Sequence, residues 1–405
     1  MKKTTFSIFL ILISLYSYPQ KGFTWTPLNS GTSVTLTSVC FKDSNTGFAV
    51  GDSGTIIKTT DGGTTWIPVI SATIKRLNSV YFFNANIGFI VGDSGLIMKT
   101  VNGGAFWITS TNGFTSNLFS VFFTDQYHGI ITGNKGMILK TTDGGLIWTP
   151  SSGGGTNSDL YAAYFTNDST GFISGGDGTG NGIILKSIDY GISWTPILNG
   201  AQEVFNAITF TNASTGFVVG YDSTLHSGII VKSTDSGSSW NPVKIVPETL
   251  RSIYFFNADS GFSVGDSGEI IMTSDGGLTW TSSVSGTTNN LYSVNFSDAN
   301  NGYIAGGSGT ILYTNGGINF INQTDKPSEI NVYPNPANNK IRIDKPIASE
   351  SFTVSICTLT GEVLFSENFR NQTSVEINVS KLSKGVYLIK IQTGTYIESK
   401  KLVVN

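Results

Sequence analysis

The stretch Thr59 to Trp66, TTDGGTTW, returns six more times along the chain at a nearly constant interval. The returns are Thr100 to Trp107, Thr141 to Trp148, Ser187 to Trp194, Ser233 to Trp240, Thr273 to Trp280 and, in weaker form, Thr314 to Phe320. From one closing aromatic to the next the steps are 41, 41, 46, 46, 40 and 40 residues. A period of about 40–45 residues, with β-rich runs broken by Gly, Asn and Asp, is that of a propeller blade of four short strands rather than of a helical repeat. Seven copies predict an all-β chain with a seven-bladed β-propeller.

Each unit opens on a run such as LTSVCF from Leu36 or LNSVYF from Leu77, followed by GFAVG-like and TIIKT-like runs and then the box. A column of small residues (Ser38, Ser79, Ser120, Ala162, Ala207, Ser252, Ser293) suits innermost strands, which crowd around an axis. Cys40 shares a column with Tyr81, Phe122 and Tyr164 and reads as a packing residue; with the second cysteine, Cys357, in a different domain, a disulfide is not expected. Before the first unit, GFTWTP (22–27) copies the strand that follows a box. It is expected to pair into the last blade and close the ring, removing exposed sheet edges.

The box itself is expected to be a hairpin clasp. Asp61, Asp143, Asp189, Asp235 and Asp275 can each accept N–H groups of their own turn, the following Gly takes a positive φ, and Trp66, Trp148, Trp194, Trp240 and Trp280 bury a large face. Asn102 replaces the Asp in the second box, which a turn accepts and a catalytic carboxylate would not. This pattern resembles the Asp-box repeats of bacterial neuraminidases. With the flanking GF-x-VG-D-x-G-x-I-x-K-T text it is more similar still to the propeller family of photosystem II assembly and stability factors, and the resemblance implies a structural role for the boxes.

After Phe320 the text changes. A polar linker (321–329) leads into alternating apolar runs over 330–405 with turns at Thr360–Gly361 and Lys384–Gly385, which describe a small antiparallel β-sandwich. YPNP at Tyr333–Pro336, the LTGEV turn, GVYLIKI at Gly385–Ile391 and the basic pair Lys400 and Lys401 before the terminal strand resemble the type A C-terminal sorting domain of the type IX secretion system of Bacteroidetes. That resemblance implies type IX secretion machinery as a partner through residues 330–405, passage through the outer membrane, removal of the domain, and a secreted or surface-bound propeller. At the other end Lys2 and Lys3 precede an apolar run from Phe6 to Tyr16, too short to span a bilayer, so residues 1–20 are expected to be a signal peptide.

The 405 residues carry 24 Lys+Arg against 27 Asp+Glu, a net charge of -3, and the propeller has only two arginines, Arg76 and Arg251. Clustered basic residues are missing, so nucleic acid is not an expected partner. GDSG at Gly51, Gly92 and Gly265 occurs three times with only two histidines in the chain, which removes a serine-protease reading. Two arginines also cannot form a sialidase triad.

One face carries the candidates for function. The turns between second and third strands and the loops between blades lie opposite the boxes, and there Asp52, Asp93, Asp177, Asp222 and Asp266 recur. As turn residues they need no ligand; Asp52, Asp93 and Asp266 are also the candidate ligands for calcium, no other cofactor being expected. The second residue of each inner strand varies (Thr37, Asn78, Phe119, Tyr161, Asn206, Arg251, Tyr292), and exposed aromatics with Asn and Arg suit stacking on a sugar or gripping a peptide. The fourth and fifth units carry about five extra residues each, at Gly175–Gly182 and Tyr221–Ser227, where a repeat scaffold places specificity. The expected function is a secreted or cell-surface module binding an extracellular protein or glycan through these residues, with Asp177 and Asp222 contributing, and no catalysis. Two alternatives stand beside it: an extracellular glycoside hydrolase and a structural surface protein.

Overall fold

Alternating apolar runs separated by Gly- and Asn-rich turns fold each repeat into four antiparallel strands. In the first blade Leu36–Phe41 pairs with Gly47–Gly51, then Ile56–Thr59, then Ile67–Pro68. The computed structural model describes residues 23–152, 154–316, 331–344, 351–358, 363–370, 372–393 and 396–405, so the expected signal peptide and linker lie outside the described residues. The chain divides into two compact units, Met1–Ile318 and Asn319–Asn405. The first holds seven four-stranded sheets, as the repeat count predicts.

Closure of the ring follows the expectation. Thr26–Leu28 pairs with Ile311–Thr314 as the outer strand of the seventh blade, with Pro27 opposite Leu312. Trp25 enters with that strand, buried at 5% exposure, and its ring stands edge-on to Phe296 at 6.4 Å. It fills the place that Trp66 occupies against Phe41 in the first blade. All seven tryptophans are thus used, one per blade.

The box is a clasp within the blade, as expected. In the first copy the Thr59 hydroxyl donates to Asp61 Oδ1 at 2.8 Å and accepts the Gly63 N–H at 2.9 Å, while Asp61 accepts the Thr65 N–H at 2.9 Å. It is also a clasp between blades. A second-strand ring packs onto the next blade's box: a Cβ on Gly104 would lie 2.3 Å from Phe48, so only glycine fits there. The same ring stacks on the phenylalanine that ends the next inner strand, as Phe48 does on Phe82 at 4.7 Å, and that phenylalanine meets its own blade's tryptophan edge-on. Phe89, Phe172, Phe217, Phe262 and Tyr303 repeat the arrangement.

Inner strands are joined to one another through the small-residue column. Ser38 accepts the Val80 N–H at 3.2 Å, Ser252 accepts that of Val294 at 3.3 Å, and Ser293 accepts that of Val39 at 3.2 Å, linking the last blade to the first.

The second unit is a two-sheet sandwich. Asn331–Tyr333, Lys340–Asp344 and Ser374–Asn378 form one sheet, and Val363–Phe369, Phe352–Cys357, Gly385–Thr393 and Tyr396–Val404 the other. Ile341, Ile343, Phe352, Val354, Ile377 and Ile389 fill the space between. Lys400 and Lys401 lie inside the terminal strand, not before it, because pairing with Gly385–Thr393 begins at Tyr396. Thr360 and Gly361 lie outside the described residues. Cys40 and Cys357 are both free.

Candidate binding mouth

Every inner strand carries a β-bulge near its start. Leu36 faces Gly51 and Ser38 faces Val50, which leaves Thr37 without a partner, and the same slip recurs at Asn78, Phe119, Tyr161, Asn206, Arg251 and Tyr292. A bulge re-aims the side chain of the unpaired residue. Glycine permits it: a Cβ on Gly51 would lie 2.0 Å from the Thr35 carbonyl oxygen, where the incoming chain crosses. All seven bulged side chains line a single cavity of about 640 Å³, which therefore lies on the axis.

They divide into two kinds. Thr37 donates to the Leu77 carbonyl at 2.6 Å, Asn78 to that of Leu118 at 2.8 Å and Asn206 to that of Leu250 at 2.8 Å, so these three tie each blade to the next. Phe119 and Tyr161 instead form a ring pair at 5.4 Å, and the Arg251 guanidinium sits 5.9 Å from the Tyr292 ring. Among the described residues the hydroxyls of Tyr161 and Tyr292 have no hydrogen-bond partner. Burial pushes the Tyr161 hydroxyl up from its usual pKa, and the Asp159 charge adds to this while Arg251 opposes it.

The aspartates of the turns do not form a ring. Asp266 holds Arg251 in a two-point ion pair at 2.8 and 2.6 Å. Asp52 pairs with Arg76 at 3.2 Å, Arg76 donates to Asn78 at 3.1 Å, and Asn78 donates to Asp93 at 2.9 Å. Each carboxylate is thus taken up by a neighbouring side chain, and among the described residues no group of three or more His, Cys, Asp or Glu is gathered for a metal ion. Asp177 and Asp222 are outside the cavity lining. Asp177 accepts from Thr179 and Asn181, and Asp222 from the N–H groups of Thr224 and Leu225, since each caps its own turn.

The surplus of the fourth and fifth blades is strand more than loop. Gly171–Gly176 with Gly182–Ser187, and Gly216–Asp222 with Ser227–Ser233, run past the ends of the other hairpins, leaving only short tips. Ser223 joins the two tips by donating to the carbonyls of Gln202 at 2.8 Å and Gly180 at 3.4 Å. Tyr221 and Val204 from this raised wall enter the lining, as do Arg76, Asn117 and Thr249. Arg76, Asn117 and Thr249 stand one residue ahead of their inner strands, and Val204 takes the same place within its longer strand, Glu203–Phe210, a column that sequence reasoning passes over although it sits beside the one it selects.

Two family models match the chain. Residues 19–114 and 249–315 match that of the photosynthesis system II assembly factor YCF48, and residues 331–405 match that of the secretion system C-terminal sorting domain. The chain joins a propeller of the assembly-factor pattern to a sorting domain. Among solved structures, one titled YCF48 bound to D1 peptide is 22% identical over 72% of this chain and 96% of its own, with a TM-score of 0.60. The GH74 xyloglucanase of Xanthomonas campestris is 12% identical over 81% of this chain and 60% of its own, at 0.57. PorZ, a surface component of the type IX secretion system of Porphyromonas gingivalis, is 13% identical over 89% and 58%, at 0.51. These likenesses establish the fold. No curated protein matches.

The sorting domain implies export to the cell surface or beyond and contact with the type IX machinery. Its YPNP motif also fastens the terminal strand, since Asn335 donates to the Lys401 carbonyl at 2.7 Å and accepts the Val403 N–H at 2.9 Å. Among the described residues no helix is long and apolar enough to cross a membrane.

Proposed function

We propose that the exported propeller is a recognition module whose axial mouth binds an extended protein segment or a glycan chain. The observation that carries this reading is the convergence of Phe119, Tyr161, Arg251 and Tyr292 on one cavity while their three polar counterparts are spent on blade-to-blade bonds. Ring faces stack on sugars or grip apolar side chains, and two hydroxyls and two guanidinium groups supply direction. The structure titled as a peptide complex of YCF48 is of the same fold, which favours a peptide among the two ligand classes.

A hydrolase would need a carboxylate pair at the substrate, about 5–10 Å apart. Among the described residues Asp93 is the one carboxylate in the mouth lining, and it accepts a hydrogen bond from Asn78. The binding reading therefore has more support than the hydrolytic one.

The test is an array of glycans and extracellular proteins probed with the full chain, with and without calcium, followed by Tyr161→Ala and Tyr292→Ala on any hit. At least ten-fold weaker binding in both variants is expected. Unchanged affinity would remove the mouth as the site, and release of a cleaved product would move the protein to the hydrolases.

A further inference from the structure

Repetition makes the blades standards for one another, and the junction of the third and fourth departs from the standard at several points that converge in space. Ile130 stands where Phe48, Phe89, Phe172, Phe217, Phe262 and Tyr303 stand in the other six blades. The ring that elsewhere fills the gap between blades is absent, and a cavity of about 470 Å³ opens there, with Phe122, Ile130, Phe165 and Ile192 as apolar lining. It lies at the box end of the blades, on the opposite face from the mouth.

The other departures border the same space. Lys140 belongs to a column whose members Lys58, Lys99, Lys186 and Lys232 lie 5.2 to 5.6 Å from their own blade's second-strand ring. Those four also donate to a carbonyl of the next blade's box. Lys140 has no such ring, and among the described residues its ammonium has no hydrogen-bond or ion-pair partner. Tyr190 replaces the glycine found at 62, 103, 144 and 276 and holds φ 63°, a conformation that bulky residues avoid. His128 fills a position that is Thr46, Ile87, Thr170 or Thr215 elsewhere, and its Nδ1 is fixed 2.7 Å from Asp125.

We propose that this cavity docks a protein segment presenting a large apolar side chain next to a carboxylate. The apolar lining takes the side chain, as buried anchors do at interfaces. The unneutralised Lys140 ammonium meets the carboxylate. His128 offers Nε2, and Asp168 at the rim an acceptor, to the segment's main chain. A glycan, whose hydroxyls would lose water against this lining, fits it poorly.

Panning phage-displayed random heptapeptides against the full chain tests the assignment, with Ile130→Phe as the filled-pocket variant and Lys140→Met as the uncharged one. Phenylalanine is the residue of the other blades, and a thermal melt at or above that of the parent checks that Ile130→Phe folds. The expected result is enrichment of peptides with Phe, Trp, Leu or Met beside Asp or Glu, binding at least ten-fold weaker to Ile130→Phe and at least three-fold weaker to Lys140→Met, and equally to Tyr161→Ala. Peptides that bind both variants as tightly as the parent would overturn it. So would the absence of any peptide preferring the parent, or loss in Ile130→Phe of glycan binding alone.

Discussion

The Tyr303 hydroxyl donates to the Gly62 carbonyl at 2.8 Å, so a second-strand ring of the seventh blade is fastened to the box of the first. The same ring stacks on Phe41 at 3.7 Å, and Phe41 stands edge-on to Trp66. The ring of blades is therefore sealed by the aromatic contacts that join its interior members as well as by the pairing of Thr26–Leu28 with Ile311–Thr314.

Trp25 supplies the seventh blade's clasp from the far end of the propeller. Trp25→Ala is expected to lower the stability of the full chain by ~3–5 kcal/mol in denaturant unfolding, the cost of emptying a buried aromatic site. A loss below ~1 kcal/mol would mean that strand pairing alone closes the ring.

The second box glycine combines a positive φ with a close contact, and a glycine in the loop after the box isolates the first of these. Gly277 has φ 73° and a Cβ there would lie 2.4 Å from Phe217, whereas Gly286 has φ 73° with nothing within 4 Å. Gly286→Ala should cost ~1–2 kcal/mol from backbone strain alone. Gly277→Ala should cost ~2–4 kcal/mol, because overpacking is added. Equal losses in urea melts would refute the blade-to-blade role of the second box glycine.

Asn102 already replaces a box aspartate, accepting from Thr100 at 2.9 Å and from the Phe106 N–H at 3.1 Å. Asp143→Asn should accordingly cost less than ~1 kcal/mol at neutral pH, while Asp143→Ala strands its donors and should cost ~1–3 kcal/mol. Loss of folding in Asp143→Asn would show that the charge itself is required.

Acid should loosen the boxes late. The Ser193 hydroxyl, then the Ser193 N–H, hold Asp189 down at about 2, and the Ser239 hydroxyl and N–H do the same for Asp235. These values lie below the unfolded carboxylate value of about 3.9, so the stabilisation is complete above pH ~4 and declines as pH falls through the folded values near 2. Urea midpoints measured from pH 5 to pH 2 should fall mostly below pH 4, and less steeply in Asp235→Asn. A midpoint independent of pH in this window would contradict the assignment.

The blade count, the closing strand and the bulged column are legible in the sequence because each is a property of one repeat or of one residue column. The box hydrogen bonds are legible for the same reason. What escapes lies between columns. Nothing local to Phe48 announces that its ring meets Gly104 and Phe82, since strands 40 residues apart become neighbours only when the sheets are arranged around an axis. Asp52, Asp93 and Asp266 look alike along the sequence, yet their fates depend on whether Arg76, Asn78 or Arg251 stands at or just before the start of the inner strand beside them. The surplus at Gly175–Gly182 reads as loop because glycine breaks runs, but the antiparallel pairing continues through Gly176 and Gly182. Ile130 is visible as an odd member of its column, though its consequence is volumetric and only the packed neighbours reveal it.

Thr26–Leu28 leaves the ribosome some 280 residues before its pairing partner at Ile311–Thr314. Until that partner arrives the first-made strand has no place to go, and the array stays an open arc with two raw edges, slow to close and open to proteolysis. Sealing thus reports on completeness: a chain cut short inside any blade cannot pass the check, whereas one that passes presents its mouth and its third-to-fourth junction already assembled.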